Sequence, residues 1–191
     1  MRPMARDGGF SLIEMMIVLT IAALVMAAFP IARGYLPQAH VNAATRGLAQ
    51  TLRDARGLAI KYGYDIIVKI DTEHHQINVY GDSDLDGAED SELMASHTYA
   101  DYGKEFEFRA VSTTGIDGHG ISSSIDLGGT NPPAITFRAN GSAVNSGVIY
   151  VTSTVDGKVD LGRAIEITST GWVQTWIFDV NGNPGPWKKW L

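Results

Sequence analysis

The sequence predicts an α+β protein in which one long N-terminal helix packs on a mostly antiparallel β-sheet head. Up to Tyr62 the apolar residues form first a continuous run and then a pattern recurring every three or four positions, which is helical. Beyond Gly63 the period changes to two, and the segments are divided by Gly, Asn, Asp and Ser turns. With 191 residues, 45% of them hydrophobic, the chain has material for one compact domain plus a separate first segment. The formal net charge of -6 disfavours nucleic acid and anionic membrane surfaces as partners of the bulk surface. There is no cysteine, so disulfides, thiolate metal sites and cysteine nucleophiles are excluded, and the head must be held by packing.

The first element begins with the stretch GGFSLIEMMIVLTIAALVMAAFP at 8–30. From Met15 to Phe29 only Thr20 is polar, and Leu12 to Ala32 gives 21 positions, enough for a bilayer core of about 30 Å. Arg2 and Arg6 precede it and mark the cytoplasmic side. A cleaved secretory signal fits poorly, because Glu14 lies inside the apolar region and no A-x-A-like site follows Phe29. An ionised carboxylate in hydrocarbon costs about 2.5–3.5 kcal/mol on insertion scales, so Glu14 needs a partner. A cut after Gly9 would create one: the new amine at Phe10 is a cation one helical turn before Glu14. Between helices staggered by about one turn, the acid of one would neutralise the amine of the other.

These residues carry a family resemblance. Gly9, Phe10, Ser11, Leu12, Ile13 and Glu14 resemble the G|F-[ST]-L-[IL]-E processing motif of type IV prepilins and type II secretion pseudopilins, and the apolar run and Pro30 fit the same pattern. The resemblance implies a pilin fold, cleavage by a prepilin peptidase between Gly9 and Phe10, methylation of the new Phe10 amine, and recruitment into a filament through Glu14. Residues 1–9 are then a leader peptide. Its removal takes away Arg2, Arg6 and Asp7, a net loss of one positive charge that leaves -7.

After Pro30 the helix turns amphipathic, with Val41, Ala44, Leu48, Leu52, Ala55, Ala59 and Tyr62 on one stripe and Asn42, Arg46, Gln50, Arg53, Asp54 and Lys61 elsewhere. The expected helix occupies 10–62, with about 10–32 as membrane span and later filament core. At 1.5 Å per residue it would reach about 80 Å, so half should project beyond the head. Pro30 and Gly34 to Pro37 should kink or locally melt it, and Gly63 should end it as a C-cap.

The head, 63–191, reads as strands at Asp65–Asp71, Gln76–Tyr80, Glu105–Ala110, Ala134–Arg138, Val148–Ser153, Arg163–Thr168 and Trp172–Phe178. Ile66, Val68 and Ile70 should face the helix at Leu48 to Ala59, as should the alternating Ile135 and Phe137, Ile165 and Ile167, and Val173 and Ile177. Residues 111–133, rich in Gly, Ser and Thr, read as a long loop. ARGLAIKYG at 55–63, ITFRANGSAVNSGVIYV at 135–151 and RAIEITSTGWV at 163–173 are similar to segments of the GspH/FimT group of minor pilins and pseudopilins. Major pilins usually carry a terminal cysteine pair, and its lack here points to a minor subunit. FimT-like proteins proposed to bind DNA often have arginines after the last strand's glycine. This chain has Trp172-Val173-Gln174, which weighs against DNA uptake.

Other candidate sites lie in the head. GDSDLDGAEDSE at 81–92 places Asp82, Asp84 and Asp86 at alternate positions before Gly87, as a calcium loop begins. The twelfth position, which an EF-hand gives to a bidentate acid, is Leu93, so the full motif fails. Glu89, Asp90 or Glu92 would have to complete an irregular calcium cage; otherwise the stretch is a solvated acidic hairpin tip. PWKKWL at the C-terminus interleaves Trp187 and Trp190 with Lys188 and Lys189, a pattern suited to stacking bases and neutralising phosphates. Two lysines against a charge of -7 favour instead a tail whose tryptophans dock on its own sheet or on the next subunit. His74-His75, His40, His97 and His119 lack metal-ligand spacing and are expected at turns or surfaces, and Asn140-Gly141 reads as a turn.

No catalytic motif is present: there is no Walker loop, G-x-S-x-G, H-E-x-x-H or G-x-G-x-x-G. The expected function is that of a non-enzymatic minor pilin or pseudopilin of a type IV pilus or type II secretion pseudopilus, with no cofactor unless calcium binds the acidic loop. Its partners would be other pilins or pseudopilins, prepilin peptidase and the inner-membrane assembly platform. It would be stored as a single pass in the bacterial inner membrane with its head in the periplasm. The alternatives are a pilus-tip module binding DNA or a surface ligand, and a calcium-stabilised anchored domain.

Overall fold

The computed structural model describes residues 11–83, 92–102, 106–128, 132–154, 161–179, 181 and 186–190, with backbone alone for 27–35 and 92. The chain divides into two units, Met1–Leu36 and Pro37–Leu191.

In the first unit the described residues are helical from Leu12, as part of α1 (Leu12–Tyr62). Residues 30–37 are helical too, so the local melting expected at the prolines does not occur. A proline deletes one amide donor, and the remaining bonds of the same turns keep the helical path. The apolar side chains from Leu12 to Met26 are exposed, 79% at Leu12 and 75% at Met26. Among the described residues no helix is long and apolar enough to cross a membrane.

In the second unit α1 buries most of the face that its period announces: Val41, Ala44, Leu48, Leu52, Ala55 and Ala59 are all at most 3% exposed, whereas Tyr62, the last residue of that stripe, is 47% exposed. Gly63 stops the helix in the left-handed region (φ 76°), with its amide bonded to the Ala59 carbonyl at 2.9 Å. Two sheets pack against this face. The first has the order β3 (Glu92–Thr98), β2 (Gln76–Asp82), β1 (Asp65–Asp71), β6 (Ala134–Phe137). The second runs β10 (Trp187–Trp190), β9 (Val173–Phe178), β8 (Arg163–Ile167), β7 (Gly147–Ser153), β4 (Phe106–Glu107), with the short β5 (Ile125–Asp126) also on β7. Among the described residues every strand pair is antiparallel.

Alternation decides what each strand buries. Ile66, Val68 and Ile70 of β1, Ile135 and Phe137 of β6, Ile149 and Val151 of β7, and Ile165 and Ile167 of β8 join the α1 stripe in one core. The opposite face of the second sheet is covered as well. Tyr150, Ala164 and Trp187 are buried there beneath Val111, Ile116 and Ile121, so the Gly/Ser/Thr-rich segment expected as a plain loop is a packed cover and contains β5. Between the sheets, the one-turn helix α2 (Tyr99–Tyr102) sends the Tyr102 hydroxyl to Thr51 Oγ1 of α1 at 3.0 Å. Tyr99 packs edge-on to Phe108, with ring centroids 5.0 Å apart.

Candidate assembly and processing site

The N-terminal end of α1 is built by local chemistry. Ser11 precedes the first helical residue, and its Oγ accepts the Ile13 amide at 3.2 Å while its carbonyl accepts the Glu14 amide at 3.0 Å. That is N-cap geometry, and Glu14 follows at the spacing of a capping box in the first turn, where the helix dipole favours an acid. The capping role of Ser11 is a second meaning of the S-x-x-E spacing, legible in the sequence but hidden behind the processing motif. Glu14 is exposed, and among the described residues it has no ion-pair partner. Its neighbours Leu12, Ile13, Met15, Met16, Ile17 and Val18 are exposed as well. Thr20 donates to the Met16 carbonyl at 2.8 Å, so its hydroxyl is satisfied within the helix. Glu14 is thus an acid set in an apolar surface. Gly9 and Phe10 lie outside the described residues.

The C-terminal residues are placed as a strand. β10 pairs with β9 in the register Trp187↔Phe178 through Trp190↔Thr175. Trp187 is buried, its Nε1 donating to the Thr114 carbonyl at 3.0 Å and its ring against Tyr150 and Phe178. Trp190 faces two guanidinium groups, Arg46 at 4.8 Å and Arg163 at 5.5 Å from the ring centroid. Lys188 bonds Asp179, holding that carboxyl below its ordinary value, and Lys189 lies 5.5 Å over the Trp176 ring. All four side chains therefore have partners inside their own head.

Asp82, the first acid of the calcium-like pattern, is buried at the end of β2, while Asp84, Asp86 and Glu89 lie outside the described residues. β2 and β3, on either side of the acidic stretch, pair antiparallel. His74 and His75 sit in the β1–β2 turn and His119 is exposed, whereas His97 lies within β3, an edge strand that periodicity did not announce. Asn140-Gly141 forms the turn expected of it, the Asn140 side chain accepting the Ser142 amide at 2.9 Å.

Residues 4–29 match the prokaryotic N-terminal methylation motif, and residues 44–171 match the family described as type II transport protein GspH. No curated protein matches the chain. Among solved structures the chain is similar to the type IV minor pilin FimU of Pseudomonas aeruginosa in two crystal forms. Identity is 18% and 20%, the match covers 70% and 73% of this chain and 90% of FimU, and the TM-score is 0.46 in both. It is similar at 12% identity to the minor pseudopilin EpsH of the Vibrio cholerae type 2 secretion system, covering 69% of this chain and 92% of EpsH with a TM-score of 0.46. The assignment rests on the two sequence matches, of which the second spans well over half of the chain: the protein belongs to the type II transport protein GspH family and carries the prokaryotic N-terminal methylation motif.

Proposed function

We propose that the protein is a structural, non-enzymatic filament subunit, stored in the inner membrane through its N-terminal helix with the head in the periplasm. Prepilin peptidase cuts between Gly9 and Phe10 and methylates the Phe10 amine. The helix then leaves the bilayer at the assembly platform and packs among those of other pilins or pseudopilins. The observation that carries this reading is the surface of Leu12–Met26, apolar, exposed and interrupted by one acid in the first helical turn. Exposed apolar surface of that extent calls for a lipid or protein environment. Glu14 calls for a cation, and the amine of a neighbouring mature subunit supplies one.

The test is incorporation. Glu14→Ala should remain in the membrane fraction at wild-type abundance yet be missing from sheared filaments or pseudopili, measured by immunoblotting both fractions. Undiminished incorporation of the variant would overturn the role given to Glu14.

A further inference from the structure

The outer face of the second sheet carries a cleft of about 440 Å3, bounded by the 115–123 segment and by residues of β5, β7 and β8. Strand register builds its wall: Asp126 pairs with Val148, and Val148 pairs with Glu166. Cross-strand partners share a face at about 4.5–5.5 Å per step, so two carboxylates flank one apolar side chain. Glu166 is held in place by the Trp176 indole, which donates to its Oε2 at 2.9 Å. A third carboxylate, Asp117, borders the cleft from the covering segment, with His119 Nδ1 at 3.3 Å from its Oδ2.

Tyr150 lies two residues beyond Val148 on the same strand and hence on the same face. It lines the cleft although the residue is only 4% exposed. The Ile116 amide bonds its hydroxyl, and among the described residues no acceptor takes the hydroxyl's own proton. Burial pushes this phenol up, and the charges of Asp117, Asp126 and Glu166 add to the effect. Among the described residues no lysine or arginine lines the cleft.

We propose that this cleft is a binding site for an organic cation, a guanidinium or ammonium group held between Asp126 and Glu166. Carboxylates gathered at one site repel one another, and a cation of fork geometry relieves this while bonding their oxygens in pairs. The volume lies within the range of small-ligand sites, about 300–1,000 Å3, and exceeds that needed for one arginine side chain. The cation is either a free small molecule or the side chain of a neighbouring subunit. The binding arm of the test is independent of filament assembly.

Full-length protein in detergent is titrated calorimetrically with Nα-acetyl-L-argininamide, its neutral isostere Nα-acetyl-L-citrullinamide, and D-glucose. Saturable binding of argininamide is expected, at least about tenfold weaker for citrullinamide and for the Asp126→Asn/Glu166→Gln double variant. Asn and Gln keep the shapes, and Gln keeps an acceptor for Trp176. The exposed single change Asp126→Asn, with an unchanged melting temperature, serves if the double variant misfolds. In isolated filaments, a carbodiimide adduct joining Asp126 or Glu166 to a lysine of another subunit identifies the partner as the source. Argininamide binding to isolated filaments as strong as to the detergent-solubilised protein identifies a free ligand, because a neighbour's side chain would occupy the cleft there. Absence of saturable argininamide binding, equal binding by citrullinamide or the variants, or binding of glucose in its place would overturn the proposal.

Discussion

Arg163, at the start of β8, donates from Nε to Asn42 Oδ1 on α1 at 3.0 Å while only 1% exposed. Its Nη1 bonds the Gly162 carbonyl at 2.8 Å, and its guanidinium faces Trp190. One buried cation therefore ties the helix, the second sheet and the last strand together. Burying a guanidinium is tolerable only when its donors are satisfied. Asn42→Ala should lower stability by about 1–3 kcal/mol, because it withdraws an acceptor from a buried charge. Arg163→Lys should also destabilise, since an ammonium cannot reproduce the planar fork. Thermal unfolding of the purified variants measures both, and wild-type melting temperatures would remove this pair from the account.

Trp187 closes the small core on the outer face of the second sheet, against Tyr150 and Ala164. Trp187→Ala should cost about 3–5 kcal/mol, the usual loss for emptying a buried aromatic site. Lys189→Ala, at an exposed cation over Trp176, should change stability by less than about 1 kcal/mol. Equilibrium unfolding should separate the two changes clearly. Equal and small effects would mean that β10 is not an integral strand.

Asp71 and His74 form a titratable clasp in the β1–β2 turn, with His74 Nδ1 at 2.8 Å from Asp71 Oδ2. The Asp71 carboxyl is lowered from 3.8, first by the bond from the His74 amide and then by its side chain. The His74 ring is raised from 6.5, first by the hydrogen bond to Asp71 and then by its charge. Asp71 therefore contributes stability above pH 3.8 that is lost as pH falls through its lower folded value. His74 contributes fully below pH 6.5 and loses its contribution as pH rises through its higher folded value. The turn should be firmest between these limits. The NMR titration of the His74 ring should shift to lower pH in Asp71→Asn, and an unchanged titration would show that the clasp does not form.

Much of the fold was readable because the deciding interactions are local. β1 occupies Asp65–Asp71, where alternation of Ile66, Val68 and Ile70 announced it, and Gly63 ends α1 where only a glycine is at ease. β3 and β5 lack such a signal. Glu92–Thr98 mixes charged, small and polar residues because β3 is an edge strand, and Ile125–Asp126 is too short to show a period. Residues 111–123 look like loop because their apolar members, Val111, Ile116 and Ile121, recur every five residues, a spacing that is neither that of a helix nor that of a strand. The motif at Ser11 and Glu14 is contiguous and so was legible. Arg163 could not be read as buried, because its partner Asn42 lies on a distant part of the chain. Likewise Asp126 and Glu166 meet only through the register of β5, β7 and β8.

The central claim is that an acid one turn into an apolar helix is matched by an amine that proteolysis creates. Intact-mass and N-terminal peptide mass spectrometry of the protein recovered from filaments tests it most directly. The account predicts a chain beginning at Phe10 with one added methyl group on its amine. A chain that still begins at Met1 would contradict it.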